Sequence, residues 1–227
     1  MTPSPTDESD RLPTGRIAPT MQTPAQSPAE SPAESPAESL VEPQPHEPPI
    51  EPRVQAPRVP TFGFMLRHPA RWLALGFGSG LSPKAPGTVG SLWGWAGFLL
   101  LYPVLTPLQW ALVIGVGLLV GWWACTVTAR HLGVSDPGSV VWDEILAMWI
   151  ILWLLMPAGL AWQAAAFGIF RYFDAVKPGP VGWADRLFKS QPGTPIGARQ
   201  GFGILFDDLV AAGCTLLVLA VARQLLH

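Results

Sequence analysis

The longer part of this 227-residue chain is short of charge. Residues 61–227 carry ten Lys or Arg and seven Asp or Glu, where a soluble domain usually has about a quarter of its residues charged. That shortage excludes an ordinary water-facing surface and leaves no broad basic patch, so no nucleic-acid partner is expected. Cysteine is nearly absent. Cys125 and Cys214 sit in apolar runs without metal-type spacing, which reads as two free thiols and gives no sign of an oxidising compartment. The four histidines, His46, His68, His131 and His227, fall at no ligand spacing and are left out of any site.

The first 60 residues lack something else. They contain no aromatic residue, yet hold fifteen of the 26 prolines, nine acids against four Arg, and the repeat SPAESPAESPAES from Ser27. Such a segment cannot bury enough apolar surface to offset the entropy of ordering, so residues 1–60 are expected to be a disordered tail. Its simplest reading is a polar extension. It has no basic-then-apolar leader pattern, so cleaved secretion is not expected.

What residues 61–227 have instead is uncharged apolar sequence in four stretches: 91–105, 108–127, 145–170 and 209–222. The second is long enough to cross a hydrocarbon core of about 30 Å; the first and last are short for it. The third exceeds a single span and carries MPAG, a helix breaker, near its middle, which permits one kinked helix or a hairpin. The expected fold is therefore all-α, a compact membrane-associated helical bundle over residues 61–227. If the stretches pair as hairpins, the cations fall on one side. The positive-inside tendency makes that side cytoplasmic, as for a multi-pass protein of a bacterial inner membrane.

The seven acids of this domain are placed with little regard for solvation. Asp143 and Glu144 stand directly before the third stretch, and Asp207 and Asp208 directly before the fourth. Adjacent helical residues point about 100° apart, so one of Asp143 and Glu144 is expected to bind an ion directly and the other to bridge or orient a second group. Paired buried carboxylates repel unless protonated or neutralised by a cation. Oxygen donors without a histidine cluster favour a hard divalent ion, Mg²⁺ above all. In FRYFDAVKPGP, Arg171, Asp174 and Lys177 recur every three residues, so one helical face can offer a metal-binding carboxylate between two phosphate-gripping cations. The loop LGFGSGLSPKAPGTVGSLWG, residues 75–94, adds glycines, hydroxyls and the cation of Lys84. Its N–H groups can form an anion-binding nest beside a helix start near Thr88 or Ser91. It lacks the Gly-Lys-Ser/Thr ending of a nucleotide loop. In DPGSVVWDE, Ser139 is the expected helix cap.

Taken together and in order, GFGSGLSPKAPGTVGSL, DPGSVVWDE followed by MWI, FRYFDAVKPGP followed by WADR, and GFGILFDDLVAAG resemble the phosphatidylglycerophosphatase A family over residues 70–215. The resemblance implies an all-helical, Mg²⁺-dependent membrane phosphatase whose partner is a phospholipid. It would convert phosphatidylglycerophosphate to phosphatidylglycerol and inorganic phosphate. On that basis Asp143, Glu144, Asp174, Asp207 and Asp208 are the expected Mg²⁺ ligands. Lys84, Gly87, Thr88, Gly90, Ser91, Arg171 and Lys177 are the expected phosphate contacts, and Asp208 or Glu144 the proton acceptor, with direct attack by an Asp as the competing route. Four features depart from the family pattern: Ala147 where glycine is common after the Asp-Glu pair, Gly179 and Gly182 where tryptophan and arginine are common, and an insertion at 190–200 that puts Lys189 out of place and leaves Arg199 as its substitute. An ion-coupled carrier using the acidic pairs is the alternative; it would need carboxylates at mid-membrane depth.

Overall fold

Thr106 starts the longest early helix with a capping box. Its hydroxyl accepts from the Gln109 amide, while the Gln109 side chain accepts from the Thr106 N–H. Pro107 follows at the first helical position, where a missing N–H costs nothing, and Gly133 ends the helix in the left-handed conformation. The computed structural model describes residues 59–188 and 195–226. The tail to residue 58, Lys189, the first part of the 190–200 insertion and His227 lie outside the described residues. In chain order the helices are α1 (Phe62–Leu66), α2 (Pro69–Ala74), a 3-10 segment (Gly76–Leu81), α3 (Pro86–Leu101), α4 (Pro107–Leu132), α5 (Trp142–Leu155), α6 (Leu160–Val176), α7 (Pro180–Phe188) and α8 (Ala198–Leu225).

The third apolar stretch divides. Pro157 cannot donate an N–H, and the chain leaves helical geometry between α5 and α6 at residues 156–159. The short arm that results, α5, becomes the centre of the bundle and packs on α3, α4, α6 and α8. Met148, Ile151 and Leu152 of α5 are fully buried with Phe98, Trp110 and Phe170. Its two tryptophans fasten it sideways: Trp142 Nε1 donates to Gly117 O of α4 at 3.0 Å, and Trp149 Nε1 to Gly94 O of α3 at 2.9 Å. Each indole thus buries its apolar body and keeps its one donor satisfied. At Gly94 a Cβ would lie 3.0 Å from the Cα of Ile145, so the α3 and α5 backbones meet there with no side chain between them.

Two described helices, α4 and α8, are long and apolar enough to cross a membrane. Leu112 and Leu119 of α4 and Leu217 of α8 stay exposed, as a lipid-facing surface requires. At about 1.5 Å per residue, α3 and α5 reach roughly 24 Å and 21 Å, short of a full crossing. Ser139 is not the cap of α5. Val141 holds that position, its N–H bound to Ala74 O, while Ser139 lies in a turn whose carbonyl sits where a Gly80 side chain would go.

Helix α8 lies tightly on α4 at Gly201, where a Cβ would come within 2.8 Å of the Thr126 Cα, whereas Gly213 has nothing within 4 Å. Gly201→Ala is therefore expected to cost about 1–3 kcal/mol through overpacking, and Gly213→Ala to stabilise by about 0.5–1 kcal/mol through helix propensity. Thermal unfolding of the two variants should shift in opposite directions; equal shifts would contradict this packing.

Candidate active site

The glycine-rich loop delivers α3 without a side-chain cap. Ala85, in the left-handed region at φ 45°, turns the chain into Pro86, and no side chain bonds the first turn. The first N–H groups of a helix have no intrahelical partner, and in this turn they belong to Gly87 and Thr88. Gly87 faces the interior: a Cβ there would lie 2.4 Å from Glu144 Oε1 and 3.2 Å from both terminal nitrogens of Arg171.

Helices α5, α6 and α8 bring the acids to this point. Asp143, Glu144 and Asp208 each offer an oxygen within 4.8 Å of the others, and all three are buried. Asp143 Oδ1, Glu144 Oε2 and Asp208 Oδ2 have no hydrogen-bond partner. Asp174 lies at hydrogen-bonding reach of Asp208 and pairs with Arg171. Arg171 also stands 4.0 Å from Glu144 and donates to Ser91 Oγ at 3.3 Å, while its Nε is buried without a partner. Burial lifts the Asp143 carboxyl well above the usual carboxylate range, helped by the neighbouring Glu144, and lifts Glu144 to about 7. Three buried acids with orphaned oxygens and one shared guanidinium form an excess of negative charge that a divalent cation would relieve. The donor set, all oxygen, fits Mg²⁺.

The expectation that only one of Asp143 and Glu144 would face the ion directly is not met. Asp143 and Glu144 both reach the cluster, Asp143 from the shorter side chain and Glu144 from the longer one one position on. Asp207 is not among the three. It pairs with Lys177, whose ammonium also donates to Asp185 at 2.8 Å. Lys177 departs from the expected shared face as well. It sits at the left-handed end of α6, φ 51°, rather than in the helix, so its side chain leaves Arg171 and Asp174 behind. Although partial burial disfavours its charge, Asp207 and Asp185 outweigh that and hold its ammonium well above the usual lysine range. Gly90 packs against Val141 and turns away from the cluster. Ser91 is buried, its hydroxyl donating to Gly87 O at 2.8 Å and receiving Arg171. Thr88 is half-buried in the first turn of α3, and Lys84 is exposed in the preceding loop. Arg199 donates to the Leu187 carbonyl, away from the acids. The residue missed from sequence is Asp185: eight positions beyond Lys177 and on another helix, it had no spacing to reveal it.

Acceptors for a cation, a guanidinium and a bare helix N-terminus meet at one end of a bundle of apolar helices; this is the donor set of a membrane-associated protein that handles a phosphate ester. The comparisons agree. The family model for phosphatidylglycerophosphatase A matches residues 72–223, and the chain belongs to that family. It is 42% identical over 149 residues to the phosphatidylglycerophosphatase A of Escherichia coli, covering 64% of this chain and 78% of that one. It is 37% identical over 147 residues to the Haemophilus influenzae protein of the same name, covering 65% and 84%. A Bacteroides thetaiotaomicron protein named, provisionally, a phosphatidylinositol-3-phosphatase is 36% identical over 158 residues, covering 66% and 91%. No solved structure matches the chain. None of these relatives favours the carrier alternative.

Three substitutions separate the cluster from its supports. Gly87→Ala should leave the unfolding temperature nearly unchanged, because only movable side-chain ends stand in its way. It should lower turnover by about 10²-fold, since Glu144 and Arg171 must shift by an ångström or so. Lys177→Met should destabilise the fold by roughly 1–3 kcal/mol by leaving Asp207 without its cation, and adding Asp207→Asn should restore part of that loss. A double-mutant cycle with no coupling would show the pair to be incidental.

Proposed function

We propose that this protein hydrolyses the terminal phosphomonoester of phosphatidylglycerophosphate, releasing phosphatidylglycerol and inorganic phosphate, from the cytoplasmic side of a bacterial inner membrane. The observation that carries the reading is the meeting of the unpartnered oxygens of Asp143, Glu144 and Asp208 with Arg171 and the Gly87 turn. Membership of the family supplies the substrate.

Asp143, Glu144 and Asp208 would hold Mg²⁺, with Asp174 at the edge of the set. The ion would supply positive charge to the phosphoryl oxygens and make a nearby water more acidic. Arg171 donates to the non-bridging oxygens through its unpartnered Nε, held in place by Asp174 and Ser91. The N–H groups of Gly87 and Thr88 add donors where charge gathers in the transition state. Glu144 Oε1, which faces Gly87 and Arg171, takes the proton of the attacking water in this reading. Lys84 offers a mobile cation at the mouth, and Lys177 keeps Asp207 neutralised at the side of the site.

The test is phosphate release from phosphatidylglycerophosphate by protein in bilayer discs, with phosphatidylinositol 3-phosphate offered in parallel. Chelation should abolish turnover and Mg²⁺ restore it, and Asp208→Asn or Asp143→Asn should lower kcat by 10²-fold or more, as loss of a site that acts as a unit does. Mg²⁺ should also raise the unfolding temperature of the parent protein but not of Asp208→Asn. Undiminished turnover in the chelated sample would remove the metal, preference for the inositol lipid would reassign the substrate, and acid-stable labelled phosphate on the protein would replace the water route by attack from an Asp.

A further inference from the structure

Two apolar grooves run side by side along α5, separated by a ridge made of Trp142 and Trp149. The first lies against α3 and is bordered by Phe77, Trp93, Gly97 and Leu100. The second lies against α4 and is bordered by Leu112, Val113, Val116 and Val120. Both begin at Trp142, the residue before Asp143 and Glu144. Both reach Trp149, about 10 Å further along the helix axis.

The ridge is a fixed wall. Each indole is tied to a backbone carbonyl of a different neighbouring helix, and the two rings meet edge to face at 5.8 Å. Gly121 makes room for the Trp142 ring, which a Cβ would approach to 2.5 Å. Closing either groove would break one of these ties. At the mouth of the first groove stands Phe77. It is 53% exposed, has left-handed backbone (φ 56°) and is packed edge-on against Trp142 at 6.2 Å. Phe77 is strained in that backbone conformation, as a residue other than glycine is. It has no core to fill there; what it borders is the groove.

We propose that the two grooves seat the two acyl chains of a single diacyl phospholipid, one on each side of the tryptophan ridge, with its headgroup phosphate at Glu144 and Arg171. This rests on the phosphatase reading and gives it a lipid-binding surface. The linings are almost wholly apolar, so neither a sugar nor a peptide backbone would find partners in them. The grooves are paired and both are bordered by Trp142, the residue before Asp143 and Glu144, so two chains of one lipid can start from a shared point. A partner helix would need one broad trough without a ridge. The second groove opens along α4, one of the two helices long enough to cross a membrane, so lipid chains reach it from the side.

The experiment compares diacyl phosphatidylglycerophosphate with its deacylated, water-soluble headgroup in phosphatidylcholine discs. Gly97→Leu puts a side chain into the first groove where the nearest atoms to a Cβ are 3.8 Å away, and Val116→Trp does the same for the second. Each should lower kcat/KM for the diacyl substrate about tenfold relative to the headgroup, through KM. Leu217→Trp, on the exposed face of α8, should leave that ratio as it is. Independently of turnover, phosphatidylglycerophosphate carrying a diazirine on each chain should cross-link to Trp93 or Leu100 and to Val113 or Val116. An unchanged ratio in both groove variants, an equal fall in Leu217→Trp, or labelling of α8 as strong as that of the grooves would overturn the proposal. Groove labelling without phosphate release would instead retire the phosphatase reading and leave the lipid seat standing.

Discussion

Everything else in this protein is arranged around the burial of acids that cannot be charged and alone at once. Asp143, Glu144 and Asp208 leave water together, and a buried carboxylate without compensation costs several kcal/mol. The fold answers with one guanidinium for four carboxylates, since Arg171 serves Asp174 and approaches Glu144. That is too little to neutralise the group, and the guanidinium itself keeps a buried, unpartnered Nε. On the proposed reading, a divalent ion would answer the acids and a phosphate ester the guanidinium.

Positioning such a cluster requires a framework that does not relax. Helix α5 supplies it by being held on every side, through Trp142 to α4, through Trp149 to α3 and through its apolar face to α6 and α8. The small residues on α3 matter for the same reason. Gly94 lets two backbones touch, and Gly87, two turns earlier, leaves the space that Glu144 and Arg171 fill. The same close approach that stabilises the bundle therefore opens its end to the site.

Much of this was legible in the sequence because charge is so rare in it. With only seven acids in residues 61–227, the pairs at Asp143–Glu144 and Asp207–Asp208 stood out, and Pro157 announced the break that separates α5 from α6. What could not be read was direction. Helical spacing put Arg171, Asp174 and Lys177 on one face, but a left-handed residue at the end of α6 turned Lys177 toward Asp207 and Asp185. The spacing rule holds only inside the helix, and Pro178 had already fixed where the helix stops. Gly90 was misjudged for a related reason: glycine marks close approach, and composition does not say whether a ligand or another helix makes it.

The division of the two acid pairs has a chemical consequence. Asp208 keeps an unpartnered oxygen in the cluster while Asp207, its neighbour, is bound to an ammonium whose own charge is secured by Asp185. Adjacent residues on one helix thus hold different states: one carboxylate is already neutralised and serves to pin α6 and α7 to α8, and the other is left in need of a cation. If both had faced the cluster, four buried acids would have shared one site and the repulsion would have risen with each. Splitting the pair limits the negative charge gathered at the centre, and it spends the remaining acid on holding the walls in place.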